Sequence, residues 1–157
     1  MSTAYVASPY GFAESTRGWY ESVLLPLVRR HVEVIDPWAE VPLEHPDPAQ
    51  RWLELGARHL ANISGRADLV VACLDQEPPD AGTLVELAWA ASRGLPVIAY
   101  RGDLRQGGEE GLRYNLMIGA AVRACGGTEV GDLDALDAAL ARYEAALRAN
   151  ERHSRAD

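Results

Sequence analysis

Short apolar runs alternate along this chain with longer stretches in which apolar residues recur every three or four positions. Ala4-Tyr5-Val6-Ala7-Ser8, closed by Pro9-Tyr10-Gly11, predicts a first strand. From about Ser15 to His31, Trp19, Val23, Leu24, Leu27 and Val28 fall at helical spacing. Val32-Glu33-Val34-Ile35 predicts a second strand, stopped by Asp36-Pro37. The Pro-rich segment from Val41 to Pro48 reads as an irregular loop, and a helix from about Ala49 to Arg66 leads into the strongest strand, Asp68 to Leu74. A helix starting after Gly82 ends at Arg93-Gly94, a basic residue and then a glycine, the order expected of a helix C-terminus. Leu95 to Tyr100 predicts a fourth strand, with Pro96 tolerable near its start. A loop from Arg101 to Gly111 follows, then a helix from Tyr114 to Val122 and a weak fifth strand near Arg123 to Cys125. An amphipathic helix from Asp132 to Arg148 and a polar tail close the chain.

The strands are apolar throughout rather than alternating, which means a parallel sheet covered on both faces. The expected fold is α/β: a doubly wound, five-stranded parallel sheet with helices on both faces, flavodoxin- or Rossmann-like. It forms one domain over residues 1–150, with a frayed polar tail over 151–157. The pattern does not reveal strand order. In such sheets ligands collect at the carboxyl ends of the strands. Three segments meet there: Ser8-Pro9-Tyr10-Gly11, Asp36-Pro37-Trp38, and Asp75 to Gly82.

Composition removes several classes of function. A 157-residue chain that is 48% hydrophobic has room for one substantial core. A net charge of −8 leaves no basic face for nucleic acid. All 15 basic residues are arginine, so there is no Schiff-base, phosphate-binding or general-base lysine. Cys73 lies inside an apolar run and reads as core. The four histidines lack metal-ligand spacing and read as surface residues. There is no GxGxxG after the first strand, so a dinucleotide fingerprint is absent, and no cofactor is expected. The first residues do not read as a secretion signal and no apolar run approaches membrane length; a soluble cytoplasmic protein with no membrane partner is the expectation.

The chemistry concentrates in Asp80-Ala81-Gly82-Thr83-Leu84-Val85-Glu86, where loop becomes apolar helix. Thr83-Leu84-Val85-Glu86 fits a capping box, in which Thr83 and Glu86 each satisfy a free amide. The apolar neighbours Leu84, Val85, Leu87, Ala88 and Trp89 argue the other way, since a carboxylate among them is costly unless it is used or paired. Asp80 by itself reads as a turn or cap residue. Tyr5 reads as a core aromatic, Asn115 as a helix-surface residue, and Tyr10 and Trp38 as loop anchors.

Together these segments resemble the nucleoside 2-deoxyribosyltransferases. The resemblance rests on Tyr5 to Phe12, Asp68 to Ala72, Pro79 to Ala88, and Tyr114-Asn115-Leu116-Met117, in order over about three quarters of the chain. It implies exchange of the base on a 2′-deoxynucleoside through a covalent deoxyribosyl-enzyme with retention, a reaction of nucleotide salvage. Deoxynucleoside and free nucleobase would be the small-molecule partners. Glu86 would be the nucleophile, Tyr5 would orient it, and Asp80 would hold the sugar hydroxyls or assist proton transfer. Asn115 would reach the sugar from a neighbouring subunit of a homo-oligomer, with Met117 lining the same pocket. Ser8, Tyr10, Trp38 and Gly82 complete the expected substrate site, with Tyr10 or Trp38 stacking on the base. The reaction needs an anion at the anomeric carbon and an acid for the departing base. One position departs from the family pattern. A carboxylate or amide expected in the helix before the third strand is Leu60 here, and Asn62 lies two residues out of register. Hydrolysis by an N-glycosidase of the same superfamily, and a non-catalytic nucleotide-binding domain, stay open as alternatives. Asn115, where a phosphate-binding serine would be expected, favours transfer, although Arg17 or Arg113 could serve a phosphate.

Overall fold

The computed structural model describes residues 2–42 and 44–154. Its five strands are β1 (Thr3–Ala7), β2 (Glu33–Ile35), β3 (Leu69–Cys73), β4 (Val97–Tyr100) and β5 (Thr128–Val130). All pairings are parallel, in the order β2-β1-β3-β4-β5. The doubly wound sheet predicted from the strand pattern is therefore present, with the flavodoxin-like order. Strand order reverses between β1 and β3, so the crevice between their carboxyl ends is where a ligand is expected.

Each strand divides its residues between two cores. Ala4, Val6, Leu69, Val71, Cys73, Ile98 and Tyr100 face the layer of α1 (Glu14–Trp19), α2 (Leu25–Arg29) and α6 (Leu133–Ser154). Tyr5, Ala7, Val70, Ala72, Val97 and Ala99 face α3 (Pro48–Gly65), α4 (Ala81–Ser92) and α5 (Leu116–Ala124). Because side chains alternate along a strand, Tyr5 is committed to the α3–α4 side.

Three details differ from the sequence pattern. The predicted helix from Ser15 to His31 is α1 and α2 joined by a widened turn over Tyr20–Leu24. Pro26 follows that turn; its ring cannot donate a hydrogen bond and crowds the preceding carbonyls, which wider winding relieves. The fifth strand does not lie at Arg123 to Cys125. Ile118 and Val122, buried one turn apart, carry α5 through Ala124, and Gly126 at φ +70° ends it before β5 begins at Thr128. Finally, α6 continues past residue 150 to Ser154, so the proposed tail starts as helix; its last three residues, 155–157, lie outside the described residues.

Candidate active site

A cavity of about 420 Å³ opens at the crevice. Its polar side is formed by Ser8 after β1, by Asp80, Gly82 and Thr83 at the start of α4, and by Glu86 in the second turn of that helix. Phe12, Pro37, Trp38, Pro42, Trp52 and Leu55 make its apolar lining, to which Glu40 and His59 add titratable groups.

The helix start resolves how the two carboxylates divide their work. Asp80, not Thr83, is the N-cap: its Oδ2 accepts from the Thr83 amide at 2.8 Å and from the Thr83 hydroxyl at 3.1 Å. The capping box expected from Thr83 to Glu86 is therefore replaced by an Asp80–Thr83 cap three residues earlier. Glu86 is released from capping, and its Oε1 accepts from the Tyr5 hydroxyl at 2.5 Å.

Tyr5 is fully buried on β1, and its hydroxyl meets Glu86 because β1 and β3 pair side by side beneath α4. Burial raises the Glu86 acid to about 7; the nearby Asp80 charge adds to the rise, and the Tyr5 hydrogen bond opposes it. Burial, reinforced by the Glu86 charge, pushes the Tyr5 phenol well above its ordinary range. Tyr5 is thus a donor and Glu86 the group that titrates near neutrality.

Of the other expected site residues, Ser8, Trp38 and Gly82 line the cavity. The Trp38 indole donates to the Ser8 carbonyl at 2.9 Å, and its ring meets Phe12 edge to face at 4.5 Å. A side chain at Gly11 would lie 2.1 Å from the Trp38 ring, so glycine there allows the tryptophan to settle against backbone.

Tyr10 is not at the cavity. Its ring packs against Trp19 in the α1-side core, and its hydroxyl donates to Asp75 at 2.5 Å. It cannot stack on a base from there, because the strand-end turn sends it to the opposite face of the sheet from Tyr5. Asn115 and Met117 do not line the cavity of their own chain either. Asn115 caps α5 through the Met117 amide at 3.0 Å, and both side chains are exposed. Arg17 is bound to the Gly11 carbonyl, Arg113 sits beside Gly131, and neither reaches the cavity.

Two titratable cavity residues escaped the sequence reading. Glu40, in the loop after β2, is held by the Asn62 amide, whose oxygen accepts from Arg66 at 2.9 Å. Asn62 thus stays out of the cavity but fixes a carboxylate within it. His59, read as a surface residue, lines the cavity with its Nδ1 3.8 Å from Glu86 Oε1. A signal for His59 existed: Trp52, Leu55, Gly56 and His59 form an i, i+3, i+4, i+7 stripe along α3. Leu60 does not line the cavity, and its carbonyl accepts from the Trp89 indole at 3.2 Å. Among the described residues no group of three or more potential metal ligands occurs.

The nucleoside 2-deoxyribosyltransferase family model matches residues 4–117. No curated protein matches the chain significantly. Among solved structures, the chain is similar to a 2-deoxyribosyltransferase from Bacillus psychrosaccharolyticus, at 21% identity and TM-score 0.68, covering 87% of this chain and 90% of that one. A 2-deoxyribosyltransferase from Leishmania mexicana is similar at 22% identity and TM-score 0.63, covering 92% and 97%. A CMP N-glycosidase from Clostridium botulinum shares the fold at 19% identity and TM-score 0.58, covering 90% and 100%. With the matched segment running from β1 into the start of α5 and containing Tyr5, Asp80 and Glu86, the chain belongs to the nucleoside 2-deoxyribosyltransferase family.

Proposed function

We propose that this chain exchanges the base of a 2′-deoxynucleoside through a covalent deoxyribosyl–Glu86 intermediate. A Glu86 carboxylate oxygen bonds to the anomeric carbon as the glycosidic C–N bond breaks, and the departing base leaves with that electron pair and takes up a proton. A nitrogen of an acceptor base then attacks the same carbon, expels the Glu86 carboxylate and gives up its own proton. Two inversions give net retention. Tyr5 orients Glu86 and stabilises its ionised form. Asp80 commits Oδ2 to the helix start, which leaves Oδ1 to accept from a sugar hydroxyl. Trp38, with Phe12 and Trp52 nearby, offers the base an apolar wall. Asn115 and Met117 enter from a second copy of the chain.

The observation that carries this reading is the Tyr5–Glu86 hydrogen bond beside Asp80, in a cavity at the strand-order reversal. A free 5′-hydroxyl suits the site better than a 5′-phosphate, because no arginine is among the described residues that line it. Hydrolysis, with water in place of the acceptor base, is the competing reading, since the CMP N-glycosidase shares the fold.

The test is incubation of the protein with a deoxynucleoside, with and without a free acceptor base, followed by chromatography. A new nucleoside formed only with acceptor supports transfer. Free base released equally without acceptor supports hydrolysis, and no turnover rejects both. Glu86→Ala is expected to abolish the activity in a protein that stays folded; activity surviving that change removes Glu86 as nucleophile.

A further inference from the structure

His59 has no role in the reaction as drawn above, yet it sits against the nucleophile. Its Nδ1 is 3.8 Å from Glu86 Oε1, the same oxygen that accepts from Tyr5. Its ring meets the Tyr5 ring edge-on, with centroids 6.3 Å apart at 61°. Its Nε2 is buried and has no hydrogen-bond partner among the described residues. Titratable groups stand around it: Glu86 on α4, Tyr5 on β1, Glu40 in the loop after β2 and Arg58 on its own helix, with Asp80, the α4 N-cap, in the same cavity.

On the reading that Glu86 is the nucleophile, we propose that His59 is a positioning residue: its Nδ1–H is a second donor to Glu86 Oε1, leaving Oε2 as the attacking oxygen. Distance favours this role over that of a general acid. In a retaining displacement the nucleophile approaches opposite the departing group, and the acid and nucleophile carboxyls stand about 5–5.5 Å apart. A ring nitrogen 3.8 Å from the nucleophile's own oxygen is nearer than that spacing, which suits a donor to the nucleophile. The 3.8 Å separation is longer than a hydrogen bond, and contacts of this kind tighten when substrate excludes water. Burial also disfavours the charged imidazole, and a neutral ring can donate from Nδ1 only in the Nδ1–H tautomer. That tautomer leaves the unpartnered Nε2 as a bare acceptor rather than a stranded N–H.

Two experiments test the assignment. Nitrogen-15 NMR of the unliganded protein reads the tautomer directly. Neutral His59 is expected to carry its proton on Nδ1, and Glu86→Gln is expected to shift the His59 titration. A proton on Nε2, or a His59 titration unmoved by Glu86→Gln, overturns the proposal whether or not the protein turns over a deoxynucleoside. In kinetics, His59→Gln keeps the bulk but moves the donor away from the Nδ1 position, whereas His59→Asn places an amide N–H close to it. His59→Gln is expected to lower kcat roughly ten- to hundredfold, the size of a lost hydrogen bond to a charged group. KM should stay within about twofold, as for an interaction made with the nucleophile rather than the substrate. The acid limb of its pH profile should move upward, and His59→Asn should recover most of both effects. Equal losses in the two variants, or an unmoved limb in His59→Gln, reject positioning. A wild-type protein that turns over no deoxynucleoside while the His59 and Glu86 titrations remain coupled rejects the deoxynucleoside reading and upholds the contact.

Discussion

At the scale of single residues, Glu86 as the proposed nucleophile would meet opposing demands of folding and chemistry. Its acid stands near 7 against an ordinary 4.5, chiefly because it is buried. An acid raised in the folded state binds its proton more tightly there than in the unfolded chain, so its contribution to stability is most favourable below about 4.5. Stability then falls as pH rises, and above about 7 the buried charge costs on the order of 3 kcal/mol. Glu86→Gln removes the charge at nearly constant shape. It is expected to lose turnover and to gain about 1–3 kcal/mol at pH 8, with no gain at pH 4.5, as read by urea unfolding at the two pH values. Wild-type activity should rise with pH through about 7 as Glu86 ionises. In Tyr5→Phe, where the hydrogen bond that favours the ionised form is gone, that rise should move up by about one pH unit. An acid limb unmoved in Tyr5→Phe would argue against the coupling of these two side chains.

At the scale of elements, the start of α4 combines a helix cap with one wall of the cavity. Asp80 caps the helix through Thr83 and also lines the cavity, so the two functions need variants that part them. Asparagine caps nearly as well as aspartate, whereas alanine loses about 1 kcal/mol. Asp80→Asn is therefore expected to keep its melting temperature and lose activity, and Asp80→Ala to lose both. Calorimetry beside the transfer assay reads the difference; an active Asp80→Asn would reduce Asp80 to a cap. The turn after β1 works in a similar way on the apolar side, where Gly11 allows Trp38 to lie against the backbone and form the wall. Alternation along β1 puts Tyr5 on the α3–α4 side, where its hydroxyl meets Glu86, whereas the turn after the strand carries Tyr10 into the α1-side core.

At the scale of the whole molecule, loops from separate strands are tied together at the carboxyl edge of the sheet. Arg101, after β4, is almost wholly buried. It donates to the Leu74 and Gln76 carbonyls, the Glu77 carboxylate and the Arg105 carbonyl. It thereby holds the segment leading to Asp80. Arg101→Met strands the Glu77 carboxylate and three carbonyls, and is expected to cost about 3 kcal/mol in equilibrium unfolding. A loss within about 0.5 kcal/mol, the range of ordinary surface substitutions, would mean the clamp is dispensable. Asn115 and Met117 belong to this scale too, since they are exposed and absent from their own chain's cavity. If Asn115 completes a neighbour's site, Glu86→Gln and Asn115→Ala proteins, each inactive alone, should regain activity when mixed and reassembled. No recovery in mixed oligomers would confine the site to one chain.

Periodicity in the sequence was enough for the parallel α/β class and for most element positions, because buried strands and amphipathic helices leave distinct spacings of apolar residues. The family was legible as well, through Tyr5, the Asp80–Glu86 spacing and Asn115-Leu116-Met117. Partnership was not. That Glu86 meets Tyr5, that Tyr10 turns into the other core, and that Glu40 and His59 enter the cavity all depend on residues brought together across strands and layers. A hydrogen bond spanning 81 positions, as between Tyr5 and Glu86, leaves no local spacing to read. The strand order β2-β1-β3-β4-β5, which sets β1 beside β3, brings the Tyr5 hydroxyl to Glu86, and no spacing along the chain encodes that order.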